Sequence, residues 1–351
     1  MGSSTDPRER VEAFWSGQRP EQVPLTVYRM FTRVGEPGKW EALFRRGLVP
    51  VDSFCPARRE WTGDVERAVS EYDEAALHWR RTAIRTPVGE VYSLHADGWQ
   101  QKYMLTCPDD YRVMTYVAEH TSLSPAYDDF LARQKDYARW GVTMAAAGRT
   151  PLQAILVDWT GLEQFSMHLF DFPDAVLTLY EAQLELFRRM IGIVADGPGK
   201  VVSVLENFTA ETMGPERFAR FHVPVYKELF PALQASGKVV AAHFDGKLAS
   251  CSDLIADSPM DMIESITPPP EGDMTLAQAR AAWPEKLLWS NINVSTWALP
   301  PEQLRQEVLR RVADGSDGGA RLAFEISEDL PGNWEQSVPV VLEALRETRA
   351  G

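Results

Sequence analysis

The sequence predicts an α/β chain, a single (β/α)8 TIM barrel over residues 1–351 with an N-terminal extension and a β-hairpin insertion at about 75–105. Three observations carry that expectation. A length of 351 residues is long for one ordinary domain and normal for a barrel. From Pro151 onward, short apolar runs alternate with helix-patterned segments. No glycine-rich GxGxxG turn follows any of those runs, which counts against a doubly wound open sheet.

Taken in order, Arg8 to Gly17 reads as a short amphipathic helix ended by glycine, and Val23 to Tyr28 as a strand. Trp40-Glu-Ala-Leu-Phe reads as the start of a helix. The stretch LHWRRTAIRTPVGEVYSLHADGWQQKYML alternates in polarity and places Pro87 and Gly89 at a turn. It is expected to form antiparallel hairpins near the mouth of the barrel, as a lid or partner surface. The later apolar runs are Leu152–Val157, Val201–Leu205, Val239–Ala242, Met262–Ile266, Leu287–Ile292 and Leu322–Ile326. Between them lie the helical patterns Ala175–Val194, Pro215–Ala235, Leu276–Ala282 and Pro301–Val312, each begun near a proline or aspartate. Six such βα-like units, with one or two more before residue 60, make the barrel.

Composition narrows the function. Hydrophobic residues are 44% and charged residues 25%, the mix of a globular chain with a large core. A net charge of -14 and a pI near 5.0 argue against nucleic acid or an anionic membrane as partner. No apolar run approaches the roughly 20 residues that span a bilayer, and MGSSTDPRER lacks the apolar core of a signal peptide. Cys55, Cys107 and Cys251 are widely spaced with no CxxC pair, which fits neither a disulfide framework nor a zinc knuckle and suits a reducing cytoplasm.

Barrel active sites are built from the C-terminal ends of strands. Five successive runs here lead into polar side chains: Glu206 and Asn207, then His243 and Asp245, then Glu264, then Asn291 and Asn293, then Glu325, Ser327, Glu328 and Asp329. In AAHFDG, residues 241 to 246, His243 and Asp245 are two apart and face one side of an extended chain. Plainer readings stand beside each. His243 can fix the strand end by donating to a carboxylate, Asp245-Gly246 can be a simple turn, and Glu328 with Asp329 can cap the following helix.

The chain resembles the uroporphyrinogen decarboxylase superfamily, which includes the decarboxylase and zinc-dependent methyltransferases that pass methyl groups among methylated substrates, corrinoid proteins and thiols. The likeness begins with RERVEAFWSGQRPEQVPL, continues through RTPVGEVY, and is clearest in MGPERFARFHVPVYKELFPALQASGKVVAAHFDGKL and IESITPPPEGDMTLAQARAAW. Of the decarboxylase motifs, Arg29 and Arg33 keep the arginine spacing that holds carboxylates, but Met-Phe-Thr lies between them. The family's catalytic aspartate has no counterpart, its serine falls at Phe208 and its late histidine near Ser327. The methyltransferase branch has a zinc site resembling His-x-Cys-Gly plus a later cysteine. HFDG keeps the histidine and glycine with aspartate in place of cysteine, and Ser327 falls at the later position beside Glu325, Glu328 and Asp329.

The resemblance implies a metal-dependent methyltransferase moving a methyl group from a small O-methyl or N-methyl substrate to a corrinoid protein or thiol. His243, Asp245 and Glu328 would hold Zn²⁺, with Glu325 as the alternative to Glu328. His243 and Glu206 would be catalytic, and Asn207, Asn291, Arg29 and Arg33 would bind substrate. A corrinoid would come from a partner protein, since no Asp-x-His-x-x-Gly motif is present. The alternatives are a carboxy-lyase acting on a small or tetrapyrrole acid, with Arg29 and Arg33 as anion holders, and a non-catalytic binding protein on a barrel scaffold.

Overall fold

A computed structural model describes residues 6–348. Eight parallel strands close into a barrel: β1 (Leu25–Tyr28), β2 (Leu48–Phe54), β3 (Val142–Gly148), β4 (Val201–Val204), β5 (Val239–His243), β6 (Met262–Ile266), β7 (Leu287–Asn291) and β8 (Leu322–Ile326). Neighbours in space follow chain order, and β8 closes on β1 with Leu25 opposite Phe324. Among the described residues, no helix is long and apolar enough to cross a membrane.

The chain divides into two compact units, one of residues 1–56, 127–148 and 194–351, the other of 57–126 and 149–193. The first holds the barrel. Its inward positions obey the two-residue period of strands. Val49 and Val51, Val142 and Met144, Val201, Ala241, Met262, Leu287, Trp289 and Ala323 form one buried cluster. The helix Pro7–Trp15 packs against it through Val11, Phe14 and Trp15, spaced as one helical face. Asp6 caps this helix by accepting from the Arg8 amide, with Pro7 at its first position. Phe14 and Trp15 each meet Trp289 edge-on at 5.9 Å, and the Trp289 indole donates to Thr26 at 3.0 Å. Burying such side chains contributes about 1.5–3 kcal/mol each. The lower barrel is thus a packed core, with Thr26 as a polar residue bonded into it, and the inward carboxylates and imidazole lie toward the C-terminal strand ends.

The second unit holds a four-stranded antiparallel sheet, Glu66–Glu74, Leu77–Thr86, Gly89–Ala96 and Trp99–Lys102, and the pair Ala57–Trp61 with Thr121–Pro125. The turn at residues 87–88 joins two of these strands, and the four-stranded sheet begins at Glu66 rather than near 75.

One expected strand is not a strand. Leu152–Val157 lies in the helix Pro151–Ala154 and the π-helical turns Ile155–Thr160. A six-residue apolar run has no period that separates a buried helix from a buried strand, and Pro151 at the first helical position decides it. The strand preceding it is VTMAAAG, Val142–Gly148. The remaining late runs are strands as expected, ending within a residue or so of their sequence limits.

Candidate metal centre at the barrel mouth

His243 closes β5, and Asp245 and Glu328 lie in the loops after β5 and β8. Each offers one ligand atom, and the three atoms lie within 4.8 Å of one another. His243 is buried at 3% exposure, Asp245 is half-buried and Glu328 sits at the open rim. His243 Nε2 stands 3.7 Å from Asp245 Oδ2.

Every member of the trio has a hydrogen-bond partner from another part of the barrel. The Tyr28 hydroxyl, at the end of β1, lies 3.1 Å from His243 Nδ1 and donates to Glu264 Oε1 at 2.7 Å. Glu264 faces His243 across the β5–β6 ladder and takes a second hydrogen bond from Ser203 on β4 at 2.8 Å. Asn207 Nδ2 donates to Asp245 Oδ2 at 2.7 Å. Ser265 donates to Glu328 Oε1 at 2.7 Å and shares a second hydrogen bond with Ser327 at the same distance. Ser265 is the extra residue of a bulge where β6 slips against β7, with a φ of 64°, and its hydroxyl meets the loop after β8.

The local sequence explains the loop after β5. A Cβ on Gly246 would stand 2.2 Å from Thr209 Cβ, so only glycine lets the two loops meet. The Gly246 amide donates to Phe208 O and the Lys247 amide to Thr209 Oγ1, which docks Asp245 beside Asn207. The glycine of HFDG therefore serves a close approach rather than a plain turn.

The charges share one sign. Burial alone would lower the His243 pKa, but Asp245, Glu264 and Glu328 outweigh it and raise it above the ordinary value. Burial also works to raise Asp245, and there His243 and Asn207 prevail and lower it. Burial, opposed by the Ser265 hydrogen bond and aided by Asp245, raises Glu328. Glu325 is wholly buried, and burial followed by Glu264 and Glu328 holds it well above the usual range. Burial and Glu264 likewise push the Tyr28 phenol up, so that it keeps its proton. A site this rich in carboxylates favours a cation, and one imidazole with two carboxylates is a donor set that suits a divalent ion.

Beside the centre lies a cavity of about 270 Å³. Tyr28 forms part of its wall. Met30, Val51, Met144, Ala146 and Leu205 give it an apolar face, and Arg29 and Asp52 a charged one. Asp52 is buried and accepts from Arg29 at 2.9 Å and from Arg133 at 2.5 and 3.0 Å, so two guanidinium groups share one carboxylate.

The residues expected from sequence fall in different places. His243, Asp245 and Glu328 converge, Asn207 touches Asp245, and Arg29 lines the cavity. Glu206 is fully buried and accepts from the Tyr226 hydroxyl of the helix Val223–Ala235 at 2.7 Å, outside the ligand trio. Asn291 is buried at the end of β7, opposite Glu325 on β8 and 3.5 Å from the Thr267 hydroxyl. Arg33 is exposed in the turn Phe31–Arg33. Tyr28, Ser203, Ser265 and Asp52 lie outside the polar set that the sequence pattern marks, although Tyr28 ends an expected strand and the strand-end rule applies to it equally.

Residues 133–348, more than half of the chain, match the sequence profile of the family described as uroporphyrinogen decarboxylase (URO-D). The chain belongs to that family. No curated protein matches it. Among solved structures, a methyltransferase from Methanosarcina mazei shares 10% identity over 98% of this chain and 99% of its own, with a TM-score of 0.57. That likeness is one of fold. A D-psicose 3-epimerase solved in the presence of D-fructose shares 12% identity over 68% of this chain and 84% of its own, at a TM-score of 0.35 too low to bear on the question.

Proposed function

We propose that this chain is a metal-dependent methyltransferase that takes a methyl group from a small O-methyl or N-methyl compound and delivers it to a corrinoid protein or a thiol. The observation that carries the reading is the convergence of His243, Asp245 and Glu328 at the C-terminal mouth of a URO-D-family barrel. The fold of a methyltransferase over nearly the whole chain supports it.

Methyl transfer from an ether or amine is slow because the heteroatom leaves poorly. A divalent ion, Zn²⁺ by preference, would supply a Lewis acid to stabilise the electron pair left on that heteroatom. The protein's part is to hold the donors and orient the substrate. His243, Asp245 and Glu328 converge while Tyr28, Asn207 and Ser265 fix them. The apolar wall of the cavity takes the body of the substrate, and Tyr28 sets it against the ligand side. At about 270 Å³ the cavity falls below the roughly 300–1,000 Å³ of pockets for drug-sized ligands, which disfavours a tetrapyrrole as substrate. The acceptor nucleophile supplies the electron pair for the new bond to carbon, and a reduced corrinoid would arrive with its own carrier protein.

A second reading, decarboxylation of a small acid, has the Arg29 guanidinium at the cavity wall in its favour. Elemental analysis after reconstitution separates the two. The proposal expects one divalent ion per chain in the wild type, its loss in His243→Ala, and an unchanged circular dichroism spectrum. No stoichiometric metal in the wild type, or full retention in the variant, defeats the methyltransferase reading and leaves the acid reading standing.

A further inference from the structure

We infer that Tyr28 is a positioning residue that relays the charge of Glu264 to His243 and so locks the imidazole in the tautomer with a bare Nε2. The inference rests on the metal reading above. A phenol has one proton to give, and its oxygen can also accept. Glu264 accepts the Ser203 hydroxyl on Oε2 and the Tyr28 hydroxyl on Oε1. With its proton committed at 2.7 Å, Tyr28 can meet His243 Nδ1 at 3.1 Å only as an acceptor. Nδ1 therefore bears the hydrogen.

In the neutral ring this leaves the lone pair on Nε2, the atom facing Asp245 at 3.7 Å. The other tautomer would set the Nδ1 lone pair against the phenol oxygen and aim an N–H at Asp245. That arrangement gives up the hydrogen bond at Nδ1 and closes the ligand position with an N–H. His243, Ser203 and Glu264 are all buried, so water has little room to replace the relay. A ligating histidine whose second nitrogen donates toward a carboxylate is more basic and better fixed, and removing such a partner costs 10–100-fold in metal affinity as an order of magnitude. Here the phenol stands between imidazole and carboxylate, and it is also a wall of the cavity.

The test uses the full chain, stripped of metal, with ¹⁵N-labelled histidine and Tyr28→Phe and Glu264→Gln variants. Of the six histidines, the His243 signals are assigned by their absence from His243→Ala. At a pH where His243 is neutral, the wild type should show Nδ1–H and an unprotonated Nε2. Both variants should shift toward Nε2–H, and Zn²⁺ alone should bind them about tenfold more weakly or worse. Because Tyr28→Phe keeps the ring, a purely structural role would leave the tautomer unmoved. Retention of the Nδ1–H form with wild-type Zn²⁺ affinity in the folded variants overturns the inference. A wild type that binds no Zn²⁺ overturns the metal reading instead, and the nitrogen spectra still decide whether Tyr28 sets the tautomer.

Discussion

Asn207 donates to Asp245 at 2.7 Å from a backbone with φ of 46°, a region that asparagine tolerates better than most non-glycine residues. Ser265, which donates to Glu328, has a φ of 64°. Both carboxylates of the candidate centre are thus steered by residues in left-handed conformations, which cost stability unless the surroundings fix them. Asn207→Gly keeps the backbone accessible and removes the donor. The expected outcome is unchanged or higher thermal stability with about tenfold weaker Zn²⁺ binding, measured by competition with a chelator. Equal affinity in wild type and variant would show that Asp245 needs no such partner.

Ala146 separates the cavity from the ligands experimentally. It lies on β3 and lines the cavity without belonging to the ligand trio. Ala146→Phe fills space that the proposal gives to the body of the methyl donor. Turnover of a small methylated substrate should fall at least about tenfold while bound metal per chain stays the same. Normal turnover with the larger side chain in place would move the substrate elsewhere.

Much of this architecture is legible in the sequence, and the misses have physical causes. The runs at 201–205, 239–242, 262–266, 287–292 and 322–326 read as strands because they are apolar, short and bounded by turn or helix-start residues. β3 escapes because alanines carry little strand preference, and the apolar run after Pro151 takes its place. His243 follows from the two-residue period. Asp245 does not, since β5 ends at His243 and the loop geometry of Gly246 and Asn207 places it. Glu206 marks the limit of the strand-end argument. A polar residue past a strand can face the mouth or the surrounding helices, and this one bonds to Tyr226. Only the chain packed on both sides settles which.

Glu325 carries the last prediction. It is fully buried, and burial first, then Glu264 and Glu328, raise its pKa well above the usual value. The folded chain therefore holds this proton more tightly than the unfolded chain, whose glutamate titrates near ~4.3. The stability it contributes is complete below that value and is lost as pH rises through the raised folded pKa. In between, stability falls by up to about 1.4 kcal/mol per pH unit, because the unfolded chain ionises and the folded one does not. Glu325→Gln keeps the shape and removes the titration. In metal-free protein the variant should melt a few degrees above wild type at about pH 7.5, and the gain should narrow at about pH 5. Thermal melts at both pH values provide the measurement. A gain that does not change with pH would mean that Glu325 is ionised in the folded chain, against the charge balance of the mouth.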